Sequence, residues 1–134
     1  MFRHKSHLSE ERNSLRVRSA VVALAALLSS LPAMAARPNE ACVGVLASAI
    51  ARAEGYWTPG SIAQRFHNPG CLRGRHGAYL EFPTKESGWE ALRVLIRSRL
   101  KRVGLTVMLD KWSETPGYPE RVRRYAGPQI KFCD

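Results

Sequence analysis

The feature that most constrains the fold is an apolar helical stripe that ends in a carboxylate and a glycine. Three apolar residues lie at i−4, i−7 and i−11 from Glu54, which places them on one helix face: Ile50, Ala47 and Val43. Gly55 follows directly, and glycine suits the left-handed turn that ends a helix. The pattern therefore predicts a buried helix from about residue 40 to residue 54, with Asn39 as its N-cap.

A carboxyl group at the inner end of a buried stripe is a candidate general acid. Burial disfavours the charged form of a carboxyl group, and the negative end of a helix dipole acts in the same direction. A carboxyl group that keeps its proton near neutral pH can donate it to a leaving group. Glu54 is therefore the first candidate catalytic residue, although from spacing alone a glutamate that only extends into solvent is the commoner case.

The beginning of the chain is typical of an export signal. A basic segment precedes an apolar run at residues 20–31, and the small-residue site AMA follows at residues 33–35. We expect residues 1–36 to be a signal peptide and residues 37–134 to form one periplasmic or secreted domain. The apolar run is too short for a stable membrane span, although an uncleaved anchor stays open as an alternative.

Composition limits the classes of partner and cofactor. The whole chain carries a formal charge of +10, and five basic and two acidic residues precede residue 37, so the domain itself stays basic. A basic exported domain is attracted to the cell wall and to anionic lipid surfaces, although a plain solvated surface has the same composition. Export and the lack of a nucleic-acid-binding motif argue against nucleic acid. No cysteine or histidine spacing indicates zinc, and we expect a monomer without metal or cofactor.

The remaining pattern predicts helices and one small β-ribbon. Turn-forming residues fill the segment 55–72. The alternating segment 78–82 (AYLEF) predicts a strand that pairs with residues 71–73. Three further helices are expected: one capped by Thr84 or Ser87 and ended by Gly104, one from Thr106 to Trp112, and one from Pro119 to Ala126. The expected fold class is α+β and mainly helical, with the ribbon inserted after the first helix.

Several segments together resemble a family of small lysozyme-like, lytic-transglycosylase-type domains of bacteria and phages. The family patterns are AIAxxEG, QRNNNPGNL, FPS…GWxAL and GLTL. The corresponding segments are AIARAEG (49–55), QRFHNPGCL (64–72), FPT and GWEAL (82–84 and 88–92) and GLT (104–106). Their order and spacing over roughly residues 42–126 carry the resemblance, which implies a lysozyme-like fold.

The resemblance implies cleavage of the β-1,4 bond between N-acetylmuramic acid and N-acetylglucosamine in peptidoglycan. Glu54 would protonate the leaving oxygen and then remove a proton from the muramoyl 6-hydroxyl, which closes an anhydro ring without a second carboxylate. A hydrolytic muramidase normally has a second carboxylate, for which Glu81 and Glu86 are candidates. A non-catalytic protein of cell-wall binding or assembly that kept the fold is a further alternative.

The resemblance also implies a set of substrate-binding residues: Gln64, Asn68, Gly70 and Tyr125. Tyr125 is similar to a late tyrosine that reaches towards the acid in transglycosylases, although from sequence alone a core tyrosine with a satisfied hydroxyl is the slightly commoner case. Asn68 precedes Pro–Gly and is also a common turn residue. Three residues stand where the family pattern has asparagines, which could narrow the substrate range or mark a binder without activity: Phe66, His67 and Cys71.

Export places the three cysteines in an oxidising compartment, and an odd number leaves one thiol unpaired. Cys42 stands about a dozen residues before Glu54, which is roughly 18 Å along a helix. Cys71 lies in the loop that the resemblance places near Glu54. Because this separation disfavours a Cys42–Cys71 bond, we expect Cys42 and Cys133 to pair and to tie the C-terminal tail to the first helix.

Overall fold

The structure is a computed structural model that describes residues 39–133, so the predicted signal peptide (residues 1–36) lies outside the described residues. This part of the chain is mainly helical, as the sequence predicts. It consists of α1 (Glu40–Ala53), α2 (Ile62–Arg65), α3 (Lys85–Asp110), α4 (Tyr118–Ala126) and a final 3₁₀ segment, Gly127–Cys133. None of these helices is long and apolar enough to cross a membrane.

The predicted first helix is confirmed. The Asn39 side chain accepts a hydrogen bond from the backbone N–H of Ala41 at 3.1 Å, so it caps α1. Each residue of the apolar stripe is at most 1% exposed: Val43, Ala47 and Ile50. Gly55 adopts the left-handed conformation (φ 74°) and donates its N–H to the carbonyl of Arg52. Glu54 is therefore held at the end of a fixed, buried helix.

The long helix α3 begins at a capping box and is interrupted near its end. Thr84 is the N-cap, and its side chain and that of Ser87 each accept from the other's backbone N–H. Gly104 has non-helical angles (φ 76°, ψ 173°), so the segment after it takes a new direction, at the place where the sequence predicts a helix end. Leu92 and Ile96, both fully buried, attach α3 to the core.

One hydrophobic core joins α1, α3 and α4, and a disulfide joins the start of α1 to the C-terminal 3₁₀ segment. Its largest buried side chains come from all three helices: Leu46, Ile50, Leu92, Ile96, Met108, Leu109 and Val122. Cys42 and Cys133, whose Cα atoms are 4.8 Å apart, form the disulfide that the sequence favours. Asn39 Nδ2 also donates to the carbonyl of Phe132 at 2.6 Å. The C-terminal tail is thus fixed to the start of α1.

The expected β-ribbon is not confirmed. Within residues 39–133 the pairing is a single antiparallel bridge between Arg73 and Tyr79. Hydrogen bonds from Gly74 N–H to Ala78 and from Leu80 N–H to Leu72 flank it, each at 2.9 Å. The pairing stops there because the side chain of Asn68, rather than another strand, occupies the neighbouring backbone groups. The alternation in the sequence therefore produces a tight hairpin loop and not a sheet.

Candidate active site

Glu54 lies at a cleft of about 710 Å³ that three parts of the chain enclose. One wall is the hairpin loop, residues 70–73 with Tyr79. The second is α3, through Leu95 and Arg99, and the third is the connection 112–115 between α3 and α4. The carboxyl group is half-buried. The volume of the cleft falls within the range of small-molecule binding sites, a few hundred to about 1,000 Å³.

A tyrosine that the sequence did not single out orients the carboxyl group. The hydroxyl of Tyr118 donates to Glu54 Oε1 at 2.6 Å. Tyr118 is only 2% exposed. Burial first, and then the charge of Glu54 and the hydrogen bond to it, raise the pKa of Tyr118 above its ordinary range. The phenol therefore stays protonated and keeps donating to Glu54 at every pH at which the domain would work.

A free thiol also faces the acid. Cys71 is a free cysteine that lines the same cleft as Glu54. Its backbone adopts the left-handed conformation (φ 47°), which is uncommon for a residue other than glycine. Burial, followed by the charge of Glu54, raises the pKa of Cys71 to about 12. The group at this position is thus a neutral S–H donor and not a reactive thiolate.

Asn68 holds the loop together and does not face the cleft. The residue is 0% exposed. Its Nδ2 donates to the carbonyls of Leu72 and Leu80 at 2.9 and 2.8 Å, and its Oδ1 accepts from Leu72 N–H at 2.8 Å. Both amide hydrogens are therefore used inside the protein. The sugar contact stays a prediction, and in this structure Asn68 positions the wall that carries Cys71.

The loop lies directly against α3 because residue 88 is a glycine. A Cβ atom at Gly88 would fall within 1.7 Å of the carbonyl oxygen of His67 and 3.2 Å of Pro69 Cδ. No side chain fits between these backbones. The Gly–Trp pair in the GWEAL segment thus has a packing cause, since the glycine lets the loop approach α3 and close the cleft.

Of the other predicted substrate-binding residues, the structure brings only Gly70 to the cleft. Gln64 is exposed on α2, where its Oε1 accepts from Gly60 N–H at 2.9 Å. Tyr125 is 36% exposed and packs under the guanidinium of Arg52, 4.5 Å from its ring centroid. The tyrosine on Glu54 is Tyr118 and not Tyr125. The prediction for Tyr125 is therefore corrected to a residue two helical turns earlier.

The structure does not bring the two candidate second carboxylates to the cleft. Glu81 and Glu86 are exposed and line no part of the cleft, whereas Glu114 does. Two arginines line it as well, Arg73 and Arg99. Among residues 39–133 no three His, Cys, Asp or Glu side chains come together as a metal site requires. The charged groups of the cleft are thus two carboxylates and two guanidinium groups.

The residues that the sequence missed share one property, which is that long-range packing places them. Tyr118 is the first residue of α4, and Arg99 and Glu114 lie on either side of the interruption at Gly104. A usable signal existed for Tyr118 alone: it is seven residues before Tyr125, so both lie on one helix face.

Comparison with known proteins adds no family assignment. The chain matches no protein-family model, no curated protein and no solved structure. The resemblance to lytic transglycosylases accordingly depends on the sequence segments alone.

Proposed function

We propose that the domain is an exported lytic transglycosylase of the lysozyme-like type, which cleaves the N-acetylmuramic acid–N-acetylglucosamine bond of peptidoglycan in the periplasm or outside the cell. The observation that carries the proposal is the setting of Glu54: a half-buried carboxyl group at an extended cleft, oriented by the hydroxyl of Tyr118 at 2.6 Å. Orientation by a buried neutral donor is what a proton-transfer group requires.

The proposed chemistry needs Glu54 twice. As a general acid it gives its proton to the glycosidic oxygen while the bond to the muramoyl C1 breaks. As the resulting carboxylate it takes the proton of the 6-hydroxyl, whose oxygen attacks C1 and forms the anhydro ring. Tyr118 keeps one carboxyl oxygen in place during both steps. Because the nucleophile is part of the substrate, no second carboxylate and no metal is required.

Glu114 favours one alternative, a hydrolytic muramidase. It lines the same cleft as Glu54, and a second carboxylate there could activate water as inverting glycosidases do. The two reactions leave different ends on the glycan, since a transglycosylase yields an anhydro end and a hydrolase a reducing end.

The experiment is digestion of purified sacculi with mass spectrometry of the released fragments. We expect anhydro-ended fragments from the wild type and a loss of about a hundredfold to ten-thousandfold in Glu54→Gln, because general acid–base catalysis contributes about 10²–10⁴. Glu81→Gln, which removes an exposed carboxylate outside the cleft, is the matched control and should retain activity. Reducing ends would establish the hydrolase. Binding to sacculi without any released fragment would instead establish a non-catalytic wall-binding protein.

A further inference from the structure

The two arginines of the cleft, Arg73 in the hairpin loop and Arg99 on α3, differ from Arg93 and Arg97 of α3 in their partners. Arg93 and Arg97 form ion pairs with Glu90, and Arg97 also pairs with Glu40. Arg73 and Arg99, in contrast, form no ion pair with any carboxylate in the described part of the chain. Within the described residues, the cleft therefore holds two cations that no carboxylate contacts at ion-pair distance.

Arg73 is fixed in place by neutral groups. Its guanidinium donates to the carbonyl of Gly77 at 3.0 Å and to the hydroxyl of Tyr79 at 2.7 Å. It also lies 4.2 Å from the centroid of the Tyr79 ring. Arg73 lines the cleft together with Cys71, and its charge acts to lower the pKa of Cys71 against the larger effect of burial. A cation that is already ordered loses little entropy when an anion binds.

Arg99 is held over an aromatic ring on the opposite side. Its guanidinium lies 4.8 Å from the centroid of the Trp112 ring. Burial, and then the charge of Arg102, lower the pKa of Arg99, yet a guanidinium stays charged in proteins. A guanidinium that stacks through its face keeps its N–H edge free for the two oxygens of a carboxylate.

The carboxylates of the cleft leave this pair available. Glu54 accepts from Tyr118, and neither Glu54 nor Glu114 is within ion-pair distance of the two arginines. A neutral sugar chain would cover Arg99, which is already partly buried, without supplying a counter-charge. A ligand that brings its own carboxylate supplies that counter-charge.

We propose that Arg73 and Arg99 form an anion subsite for a carboxylate on the lactyl arm of the muramoyl sugar. This inference rests on the proposed function, because it names a part of the substrate for the same cleft. The carboxylate has two possible sources, the free lactyl group of a strand without peptide or the acidic residues of the attached peptide. In either case the cleft selects muramoyl strands over neutral strands of the chitin type.

The test measures binding of soluble glycan strands to inactive Glu54→Gln protein, so that no strand is cleaved. Three preparations are compared: strands with peptides, strands stripped of peptides, and stripped strands whose lactyl carboxylates are amidated. Introduced into this background, Arg99→Gln and Arg73→Gln should each weaken binding of carboxylate-bearing strands by about tenfold or more, since hydrogen bonds to charged groups contribute about 1.5–3 kcal/mol. Binding of the amidated strands should stay unchanged.

The control is Lys101→Gln, which removes one positive charge from the opposite face of the same helix, outside the cleft. It should leave binding of all three preparations within about twofold, because exposed charges at a distance are screened by salt. A loss on stripped strands assigns the lactyl carboxylate, and a loss confined to peptide-bearing strands assigns the peptide. Equal affinity of the parent protein for all three preparations would overturn the subsite.

Further measurements distinguish a loss of the anion subsite from a loss of folding or of activity. If Arg99→Gln lowers the thermal unfolding midpoint, the exposed Arg73 carries the test alone. Arg99→Lys keeps the charge without the planar fork and should recover part of the lost affinity. Cleavage by wild type without discrimination between strands would overturn only the subsite. Discrimination by a protein that releases no fragments would overturn only the proposed activity.

Discussion

The hydroxyl of Tyr118 donates a 2.6 Å hydrogen bond to Oε1 of Glu54, and it joins the first residue of α4 to the last turn of α1. The chain from Tyr118 to Cys133 then runs back to the start of α1, where the Cys42–Cys133 disulfide closes it. The orientation of the acid therefore depends on the same packing of α4 on α1 that builds the core.

Tyr118→Phe tests this contact directly. The ring still fills its buried position, but Glu54 loses a donor that held one of its oxygens. We expect kcat to fall by about tenfold to a hundredfold, since a hydrogen bond to a charged group is worth about 1.5–3 kcal/mol. The stability loss should be only about 1 kcal/mol, because water can reach the half-buried carboxyl group. Steady-state kinetics and urea unfolding measure the two effects.

Tyr125→Phe provides the matched control. It removes the same hydroxyl from the same helix face, but Tyr125 contacts Arg52 through its ring and not through its oxygen. Activity and stability should therefore stay close to those of the wild type. A larger effect of Tyr125→Phe than of Tyr118→Phe would contradict the assignment of the orienting tyrosine.

Cys71 should be a slow nucleophile in the folded protein. Because its pKa is raised from 9.0 to about 12, the thiolate fraction at pH 8 is about a thousandfold below that of an ordinary thiol. Alkylation by iodoacetamide should be slower by a similar factor and should keep accelerating with pH well above 9, towards the raised pKa. Mass spectrometry of samples quenched over a pH series gives these rates.

Glu54→Gln separates the two causes of this effect. Burial is the larger one and remains, whereas the charge of Glu54 disappears, so the pKa of Cys71 should fall only in part. Alkylation should become faster than in the wild type and stay slower than in urea-unfolded protein. A rate unaffected by Glu54→Gln would show that the thiol and the carboxyl group are not in contact.

Local rules predicted the parts of the site that one helix and its cap define. The stripe Val43, Ala47 and Ile50 is buried, and Gly55 ends the helix after Glu54, because helix periodicity and the left-handed turn depend only on neighbours in sequence. The alternation of residues 78–82 was less informative. It describes a side-chain pattern, and backbone pairing also needs a partner strand, which the side chain of Asn68 replaces.

Long-range packing decided the rest. Tyr118 and Tyr125 share a helix face, so periodicity cannot say which of them reaches Glu54. Only the packing of α4 against α1 selects Tyr118. Glu114 enters the cleft after the change of direction at Gly104. A sequence pattern locates that break but does not give the direction of the chain after it.

Asn68→Asp tests the structural role of this buried amide. A carboxylate cannot donate to the carbonyls of Leu72 and Leu80, and it places a charge where the residue is fully buried. We expect a loss of about 3 kcal/mol in the free energy of unfolding. Gln64→Glu makes the same chemical change at an exposed position and should cost less than about 0.5 kcal/mol. Equal losses in the two variants would return Asn68 to the role of a surface residue free to contact sugar.

Gly88→Ala should open the cleft by displacing the loop that packs against α3. The new Cβ would fall within 1.7 Å of the His67 carbonyl oxygen, which is backbone and cannot rotate away, so the loop must move off α3. We expect a loss of about 3 kcal/mol in stability, at the upper end of overpacking costs. Because the same loop carries Cys71 to Glu54, the displaced loop should also expose the thiol and accelerate its alkylation.

Gly44→Ala is the matched control for that substitution. Gly44 lies exposed inside α1, and a Cβ there meets no atom within 4 Å. Alanine should therefore stabilise the protein by about 0.5–1 kcal/mol, because it restricts the unfolded chain and favours the helix. Opposite signs for the two glycines, with faster alkylation of Cys71 only in Gly88→Ala, would link the close loop–helix contact to the geometry around Glu54. Faster alkylation in neither variant would show that the loop holds Cys71 in place independently of α3.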